Sequence, residues 1–297
     1  MRNLLILLFT VICVSLYGQA ADDTGIIAKG ATPKLLSDAF SFTEGPAADA
    51  QGNVYFTDQP NDRIYKWAID GKLSLWREKT GRANGLYFDR KGHLLACSDA
   101  DNEMWLFDAD GNHRVLIADF DGKKLNGPND LWIAPNGGIY FTDPLYARNY
   151  WTRDPNPQQD GQHVYYRAPN GQLTRVADDL QQPNGIIGTP DGKRLYVADI
   201  RAGKTYSYDI CKDGTLANKT LFAPSGSDGM TIDSKGNVYL TGKGVTVFNK
   251  KGEKIAHIPI DAQWTANVCF GGKDRKTLFI TASKCLYSLK MNVKGVK

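Results

Sequence analysis

The stretch PNDLWIAPNGGIYFTD, residues 128–143, decides the fold that this chain is expected to adopt. Two short apolar runs, at 131–134 and 139–142, flank the sequence Pro-Asn-Gly-Gly at 135–138. Such a pair of runs around an Asn/Gly turn predicts a β-hairpin. A polar residue, Asn129, stands just before the first strand, and this combination can be followed along the rest of the chain.

Five further copies of this hairpin occur, at intervals of 39 (228 to 267) to 55 (129 to 184) residues. A second series of Gly-containing turns, about twenty residues after the first in each copy, predicts two more strands per repeat. A period near 40 to 45 residues is typical of four-stranded propeller blades. We therefore predict an all-β fold, a six-bladed β-propeller with four antiparallel strands per blade. The polar residues in the position of Asn129, called the ring residues below, are Glu44, Asn84, Asn129, Asn184, Asp228 and Asn267.

The sixth repeat ends after three strand-like runs, at 268–270, 277–281 and 286–290. A closed propeller needs a fourth strand in this blade, and the segment before the first repeat can supply it. We expect residues near 33–37 to complete the last blade. Residues 21–297 are then a single propeller domain.

The first twenty residues have the features of a secretory signal peptide. Arg2 precedes an apolar run at 4–17 and the small residues near Ala20, after which we predict cleavage. The apolar run is shorter than the roughly 20 residues that a membrane-spanning helix needs. We expect a periplasmic or secreted protein that is not held in a membrane after cleavage.

Composition and charge narrow the function further. The net charge is +4 and no basic run occurs, so nucleic-acid binding is not predicted. Cys97, Cys269 and Cys285 lie in apolar strand-like runs, and Cys269 and Cys285 fall on strands of one blade that do not pair. Free Cys in such runs behaves as a small apolar residue, and no obligatory disulfide is expected. The oligomeric state is left open.

The ring residues are predicted to converge. The first strand of each blade lines the propeller axis, so six polar side chains meet at one mouth of the central channel. They comprise two carboxylates and four amides without His or Cys, a set of oxygen ligands that suits a hard cation. We predict one divalent metal ion, Ca²⁺ before Mg²⁺, Mn²⁺ or Zn²⁺, because Ca²⁺ accepts irregular geometry whereas Zn²⁺ prefers His and Cys. Two carboxylates leave coordination positions for water or substrate, and Asp228 is placed to take a proton from an attacking water.

Several motifs resemble those of the senescence-marker-protein/gluconolactonase/luciferin-regenerating-enzyme family, and most of all its bacterial gluconolactonases. They are FTEGP (42–46), NGLYFDRKGHLLAC (84–97), GKKLNGPNDLW (122–132), IYFTDPLY (139–146), QPNGI (182–186) and SDGM (227–230). The resemblance implies a six-bladed propeller with one catalytic divalent metal and a sugar-lactone substrate. It also implies that the metal ligands are Glu44, Asn184 and Asp228, that Asn129 is a ligand or a substrate contact, and that Asp228 is the general base.

The chain departs from the family pattern at two positions. Ser227 replaces the usual Pro before the last Asp, and Gly127 replaces an Arg that some animal members carry. The sugar contact of that Arg cannot be transferred to this chain. We therefore predict that substrate is bound by Asn84, Asn126, Asn129, Asp130 and Tyr146.

Three functional hypotheses follow. The first is a hydrolase that opens sugar lactones to aldonic acids. The second is a metal-dependent phosphotriester or ester hydrolase of the same fold. The third is a metal-stabilised propeller that serves only as a binding platform, since propellers host many functions. A long insertion in the third repeat, between 143 and 163, carries Tyr146, Tyr150 and Trp151, and we expect it to reach over the channel mouth and influence substrate choice.

Overall fold

The computed structural model describes residues 24–296, which fold into six four-stranded antiparallel sheets. Among these residues the single helical element is a short 3₁₀ turn, Gln59–Asn61. The six-bladed propeller predicted from the repeats is confirmed. The predicted signal peptide, 1–20, lies outside the described residues. No helix within 24–296 is both long and apolar enough to cross a membrane.

In blades 1 to 5 the strands run from the channel outward in chain order. The first strand of the described chain is β1 (Lys34–Ser37). Blades 1 and 2 comprise β2 (Thr43–Ala48), β3 (Val54–Asp58), β4 (Arg63–Trp67), β5 (Leu73–Glu78), then β6 (Ala83–Phe88), β7 (Leu94–Ser98), β8 (Glu103–Phe107) and β9 (His113–Ile117). Blades 3 and 4 comprise β10 (Leu131–Ile133), β11 (Ile139–Asp143), β12 (His163–Arg167), β13 (Leu173–Ala177), then β14 (Pro183–Gly188), β15 (Arg194–Asp199), β16 (Lys204–Ile210) and β17 (Leu216–Ala223). Blades 5 and 6 comprise β18 (Met230–Ile232), β19 (Val238–Gly242), β20 (Gly244–Phe248), β21 (Lys254–Ile258), then β22 (Thr265–Gly271), β23 (Thr277–Ala282) and β24 (Cys285–Lys290).

Blade 6 takes its outermost strand from the beginning of the described chain. β1 pairs antiparallel with β24, with Lys34 opposite Ser288 and Leu35 opposite Tyr287. The first strand of blade 6, β22, packs in turn against β2 of blade 1. The sheet order in this blade is therefore β1, β24, β23, β22.

Aspartates define the turns at one end of the propeller. Between β2 and β3, Asp49 Oδ1 accepts hydrogen bonds from the backbone N–H groups of Gln51 and Asn53, at 3.0 and 2.9 Å. Asp89 holds the turn between β6 and β7 in the same way. Gly52 and Gly92 adopt positive φ angles of 93° and 86°, which Gly reaches without steric cost. We call this end of the molecule the turn face.

The apolar core lies between neighbouring sheets. Large side chains such as Tyr140 and Tyr196 are fully buried there. Tyr140 also donates a hydrogen bond of 2.8 Å to the carbonyl of Gly214, which ties blade 3 to a turn of blade 4. Cys97, Cys269 and Cys285 are buried and free, and no disulfide forms among the described cysteines.

Candidate metal centre and active site

The ring residues lie at the end of the channel opposite the turn face, as the alternation of strand direction requires. The sequence pattern predicts that each ring residue precedes the first strand of its blade. In four blades the ring residue instead lies within the first strand, namely in β2, β6, β14 and β22. The pairing register shifts at each of these places, for example between Glu44 and Ala47 and between Pro183 and Ile186. A bulge inserts an unpaired residue and redirects its side chain. The bulges thus explain how a strand residue can present its side chain to the channel mouth.

Glycines after the ring residues allow the first strands to approach one another closely. The N–H of Gly85 donates a hydrogen bond of 2.7 Å to the carbonyl of Asn129 in the next blade. A Cβ atom on Gly185 would lie 2.9 Å from the carbonyl oxygen of Asp228, so no side chain fits there. Four of the six ring residues, Glu44, Asn84, Asn184 and Asp228, are followed by Gly. The narrow ring therefore depends on these glycines.

Asn184, Asp228 and Tyr146 form the centre of the site. The amide Nδ2 of Asn184 donates hydrogen bonds of 2.8 Å to Asp228 Oδ1 and 2.8 Å to the hydroxyl oxygen of Tyr146. Both amide hydrogens are engaged, while Asn184 Oδ1 is buried and has no hydrogen-bond partner among the described residues. A buried acceptor without a partner costs free energy. A cation at this oxygen would supply the missing interaction.

Two buried carboxylates face this centre. Burial, followed by the charge of Asp228, raises the pKa of Glu44 well above its ordinary value. Burial also raises the pKa of Asp228, although hydrogen bonds from Trp264 and Asn184 oppose the shift. Like charges that approach one another in a poorly solvated site disfavour the doubly ionised state. A divalent cation between them would remove this repulsion.

The residues therefore fit the predicted metal ion. Among residues 24–296, no group of three or more His, Cys, Asp or Glu side chains is arranged to hold a metal. The candidate set instead combines the carboxylates of Glu44 and Asp228 with the amide oxygen of Asn184. Hard oxygen donors of this kind suit Ca²⁺ better than Zn²⁺.

Asn84 and Asn129 lie in the same ring and keep their side-chain amides available. Both residues are buried, at 3% and 5% exposure, yet neither amide makes a hydrogen bond within the described chain. Their backbones fix their positions, since Thr57 Oγ1 donates to the carbonyl of Asn84 and Gly85 N–H to that of Asn129. These two residues can therefore serve a metal or a substrate, as predicted, but no contact assigns either role.

Asp130 and Asn267 close the floor of the site. They belong to blades 3 and 6, which lie opposite each other, and Asn267 Nδ2 donates a hydrogen bond of 3.4 Å to Asp130 Oδ2 across the channel. The other oxygen of Asp130 accepts the N–H of Leu131. Burial raises the pKa of Asp130 to about 7. Its predicted role in substrate binding stays a prediction, whereas its contacts are those of a bridge across the channel.

Asn126 is placed below the long loop of blade 3. Its Nδ2 donates hydrogen bonds to the backbone carbonyls of Asp143 and Gly161, at 3.0 and 2.8 Å. Both amide hydrogens are therefore used in contacts within the protein. Its Oδ1 is buried without a partner among the described residues. A substrate contact of Asn126, predicted from the sequence, is therefore restricted to this oxygen.

The long loop itself is anchored on a residue that the sequence patterns did not single out. Asp99, directly after β7 in blade 2, accepts hydrogen bonds from Trp151 Nε1 at 3.0 Å and from the hydroxyl of Tyr150 at 3.4 Å. Arg148 and Arg153 approach the same carboxylate at 4.0 Å. Tyr146 is thus the loop aromatic that touches the centre, while Tyr150 and Trp151 fasten the loop to the neighbouring blade.

The repeat pattern contained a signal for Asp99. In blades 1, 3 and 4 the second strand ends in Asp58, Asp143 and Asp199, which accept backbone N–H groups just before the ring residue. In blade 2 the second strand ends in Ser98, and Asp99 follows as an additional carboxylate. A Cβ atom on Gly127 would lie 2.6 Å from Asp99 Oδ1, so Asp99 occupies the space beside this position.

Trp264 was also missed. Its Nε1 donates a hydrogen bond of 2.6 Å to Asp228 Oδ2, which leaves each oxygen of Asp228 with one donor. Trp264 lies between β21 and β22, outside the repeated motif. A lone Trp in a connecting segment carries no sequence signal for such a contact.

Comparison with known proteins gives a consistent result. The family described as SMP-30/Gluconolactonase/LRE-like region matches residues 42–284. Gluconolactonase from Zymomonas mobilis subsp. mobilis is 28% identical over 280 residues, which cover 84% of this chain and 78% of that protein. The structure of a gluconolactonase from Xanthomonas campestris superposes with a TM-score of 0.84 at 31% identity, covering 92% of this chain and 93% of the other.

A more distant structure shows the same fold. Regucalcin from Agrobacterium tumefaciens, a calcium-binding protein, superposes with a TM-score of 0.75 at 21% identity and covers 90% of this chain and 96% of its own. Since the family match extends over most of the described residues and includes the first strands of all six blades, the chain belongs to the SMP-30/gluconolactonase/LRE-like family.

Proposed function

We propose that the protein is a metal-dependent hydrolase that opens sugar lactones to aldonic acids. The observation that carries this proposal is the buried, unpartnered Oδ1 of Asn184 beside the carboxylates of Glu44 and Asp228. The names of the relatives, which are gluconolactonases, support lactones as the substrate class. The name of the regucalcin structure supports calcium as the cation.

Glu44, Asn184 and Asp228, with Asn129 as a further candidate, would hold the metal ion. A divalent cation bound there supplies Lewis-acid chemistry, which polarises a carbonyl oxygen. Tyr146 fixes the amide of Asn184, because its hydroxyl accepts one of the two Nδ2 hydrogens. The amide oxygen is thereby turned away from Asp228 and Tyr146, in the orientation that a ligand requires.

Asp228 acts as the general base in this proposal. Burial raises the pKa of Asp228 in the metal-free protein, a bound cation would lower it, and the ionised carboxylate can then accept a proton from water. It takes a proton from the attacking water, the new C–O bond forms at the lactone carbonyl carbon, and the ring C–O bond then breaks. Asp228 then returns its proton to the ring oxygen, which leaves as a hydroxyl group, and the product is the aldonic acid.

The lactone hydroxyls require polar partners at the channel mouth. Asn84 and Asn129 present side-chain amides that make no hydrogen bond within residues 24–296, and each offers both donors and an acceptor. Tyr146 adds a hydroxyl beside the metal site. We also propose, from the character of residues 1–20, that the protein works in the periplasm or outside the cell.

An assay of the purified protein against a panel of lactones tests this function. Gluconolactone and related aldonolactones should be hydrolysed, EDTA should abolish turnover, and Ca²⁺ should restore it. A fluorophosphate substrate included in the panel separates lactonase from phosphotriesterase activity. Absence of turnover for every lactone in the presence of Ca²⁺, Mg²⁺, Mn²⁺ and Zn²⁺ would refute the proposal.

A further inference from the structure

A cavity of about 790 Å³ opens at the turn face, on the side of the molecule opposite the metal site. It extends from the lower channel into the space between blades 2 and 3. Asp130 and Asn267 lie at its inner end, and their hydrogen bond across the channel lies between the cavity and the candidate metal ligands Glu44, Asn184 and Asp228. The volume is in the range of about 300 to 1,000 Å³ that is usual for small-molecule sites.

The walls between blades 2 and 3 are apolar. Blade 2 contributes Leu95, Leu106 and Leu116, and blade 3 contributes Ile133 and Ile139. Leu106, Leu116 and Ile133 are only partly buried, so the space between the two sheets is not filled by the protein's own side chains. An open apolar recess of this kind favours an apolar ligand.

Positive charge surrounds this recess. Arg90, Lys91, Arg114, Arg167 and Arg275 line the cavity, against two carboxylates, Asp89 and Asp130. Neither carboxylate neutralises the outer rim. Asp89 is engaged with His93 and with backbone N–H groups of its own turn, and Asp130 lies at the inner end, bonded to Asn267.

Arg114 and Arg167 are directly beside the apolar wall. Arg114 in β9 is the cross-strand partner of Leu106, and Arg167 in β12 is the partner of Ile139. Residues opposite each other on adjacent strands share a face of the sheet. Both arginines therefore project from the same faces as the leucine and isoleucine that line the cavity.

The two guanidinium groups have no partner of opposite charge. Within residues 24–296, neither group makes a hydrogen bond or an ion pair. Partial burial, followed by the charge of Arg114, lowers the pKa of Arg167. Arg114 is exposed and Arg167 is half-buried, and an anion placed between these two like charges would be attracted to both.

We propose that this cavity binds an amphiphilic carboxylate, a molecule whose apolar chain or ring system occupies the space between blades 2 and 3 and whose carboxylate lies between Arg114 and Arg167. The forked guanidinium group matches the two oxygens of a carboxylate. A sugar lactone or an aldonate has no apolar part of this size, so the cavity is not a second site for the proposed substrate.

Titration of the full-length protein with dodecanoate, followed by calorimetry below the concentration at which the ligand forms micelles, tests the proposal. We expect saturable binding of one dodecanoate per protein. Arg114→Gln/Arg167→Gln should raise the Kd at least tenfold, about 1.4 kcal/mol, while Arg114→Lys/Arg167→Lys, which keeps both charges but loses the forked geometry, should weaken binding less than the double Gln variant. Acetate, which lacks the chain, and dodecyltrimethylammonium, which reverses the charge, should not bind.

Leu106→Trp gives a second test that keeps both charges, since it fills the apolar space and should also weaken dodecanoate binding. Thermal unfolding and lactone hydrolysis provide the controls for folding, because none of these residues belongs to the metal site. The proposal is wrong if the parent protein shows no saturable heat, if the double Gln variant binds dodecanoate as the parent does, or if dodecyltrimethylammonium binds equally well.

Discussion

The two ends of the central channel are built by the same strands and carry opposite chemistry. At the ring end, Glu44 and Asp228 are buried near each other, so the negative charge of one disfavours ionisation of the other, and polar amides surround them. At the turn face, the cavity has apolar walls, and Arg114 and Arg167 at its edge make no hydrogen bond or ion pair within residues 24–296. The ring end therefore suits a cation, and the turn face suits an anion.

The difference arises from local features of the first strands. At the ring end, bulges and following glycines direct polar side chains toward the axis. At the turn face, regular pairing restores alternation, and apolar residues such as Leu131 and Ile133 point between the sheets. One repeated unit can thus present two unrelated sites, and the predictions below test whether they are independent.

The largest effect is expected from removing a charge at the ring end. Glu44→Gln and Asp228→Asn each delete half of the formal negative charge, so each should raise the Kd for Ca²⁺ at least 100-fold, about 2.7 kcal/mol. Lactone hydrolysis should be lost in parallel. Asn267→Ala is the matched control, because its amide bonds to Asp130 and to its own neighbour, and it should change the Kd less. If calorimetry shows that Asp228→Asn and the parent protein bind Ca²⁺ equally well, the proposed metal site is wrong.

The second effect concerns stability against pH without metal. The pKa of Glu44 is raised above its ordinary value of 4.5, so the native state binds this proton more tightly than the unfolded state does. Stability of the metal-free protein should therefore fall as the pH rises from about 4.5 through the raised pKa. Asp228 acts in the same direction. Ca²⁺ should reverse the loss, because it binds the ionised form.

Glu44→Gln sharpens this test. The variant removes the repulsion between the carboxylates of Glu44 and Asp228, and it also removes a ligand of the metal ion. At pH 8 in EDTA, where no metal is bound, it should therefore melt at a higher temperature than the parent. For proteins of 150 to 250 residues, each 1 kcal/mol corresponds to about 2 to 4 °C, and the shift is smaller for a longer chain. Calorimetric melting curves at pH 5 and pH 8 provide the measurement. A variant that melts below the parent at pH 8 in EDTA would mean that Glu44 is stabilised by contacts and not destabilised by burial.

A smaller loss should follow from Tyr146→Phe. The substitution removes the hydroxyl that accepts a hydrogen from Asn184 Nδ2, and one such hydrogen bond contributes about 0.5 to 1.5 kcal/mol. We expect kcat/KM to fall up to tenfold. Tyr150→Phe is the matched control, because its hydroxyl bonds to Asp99 and lies away from Asn184. Equal losses for the two variants would indicate a general effect of the loop and no specific role of Tyr146.

Local signals made most of the fold predictable. Gly-containing turns and alternating strands recur in every blade, so strand bounds such as Ile139–Asp143 could be placed within about a residue. The position of the ring residues was harder to predict. Sequence patterns placed Glu44 and Asn184 before their strands, whereas bulges place them inside the strands. A bulge depends on pairing with the neighbouring strand, which no local pattern contains.

Contacts between blades were not predictable for the same reason. Trp264 and Asp99 act on residues 36 and 52 positions away, Asp228 and Trp151, through hydrogen bonds that only the closed ring creates. The cavity with Arg114 and Arg167 is a further example, because its two walls come from different blades. Periodicity specifies each blade, and the packing of blades specifies what lies between them.

The smallest effect concerns the loop that connects the metal site with blade 2. Asp99 accepts hydrogen bonds from Trp151 and Tyr150 and approaches Arg148, while Tyr146 at the start of the loop contacts the centre. Asp99→Asn keeps the shape of the side chain but removes the negative charge that attracts the hydrogen-bond donors of the loop. The loop should then spend more time away from the mouth, because hydrogen bonds to a neutral acceptor are weaker.

We expect Asp99→Asn to raise KM for the preferred lactone about threefold, which corresponds to about 0.7 kcal/mol, with little change in kcat. The Kd for Ca²⁺ should change less than threefold, since Glu44, Asn184 and Asp228 keep their own contacts. Asp101→Asn, an equal loss of charge two residues away on an exposed side chain, should leave KM unchanged. If Asp99→Asn lowers kcat and leaves KM unaltered, the loop positions the reacting groups and does not select the substrate.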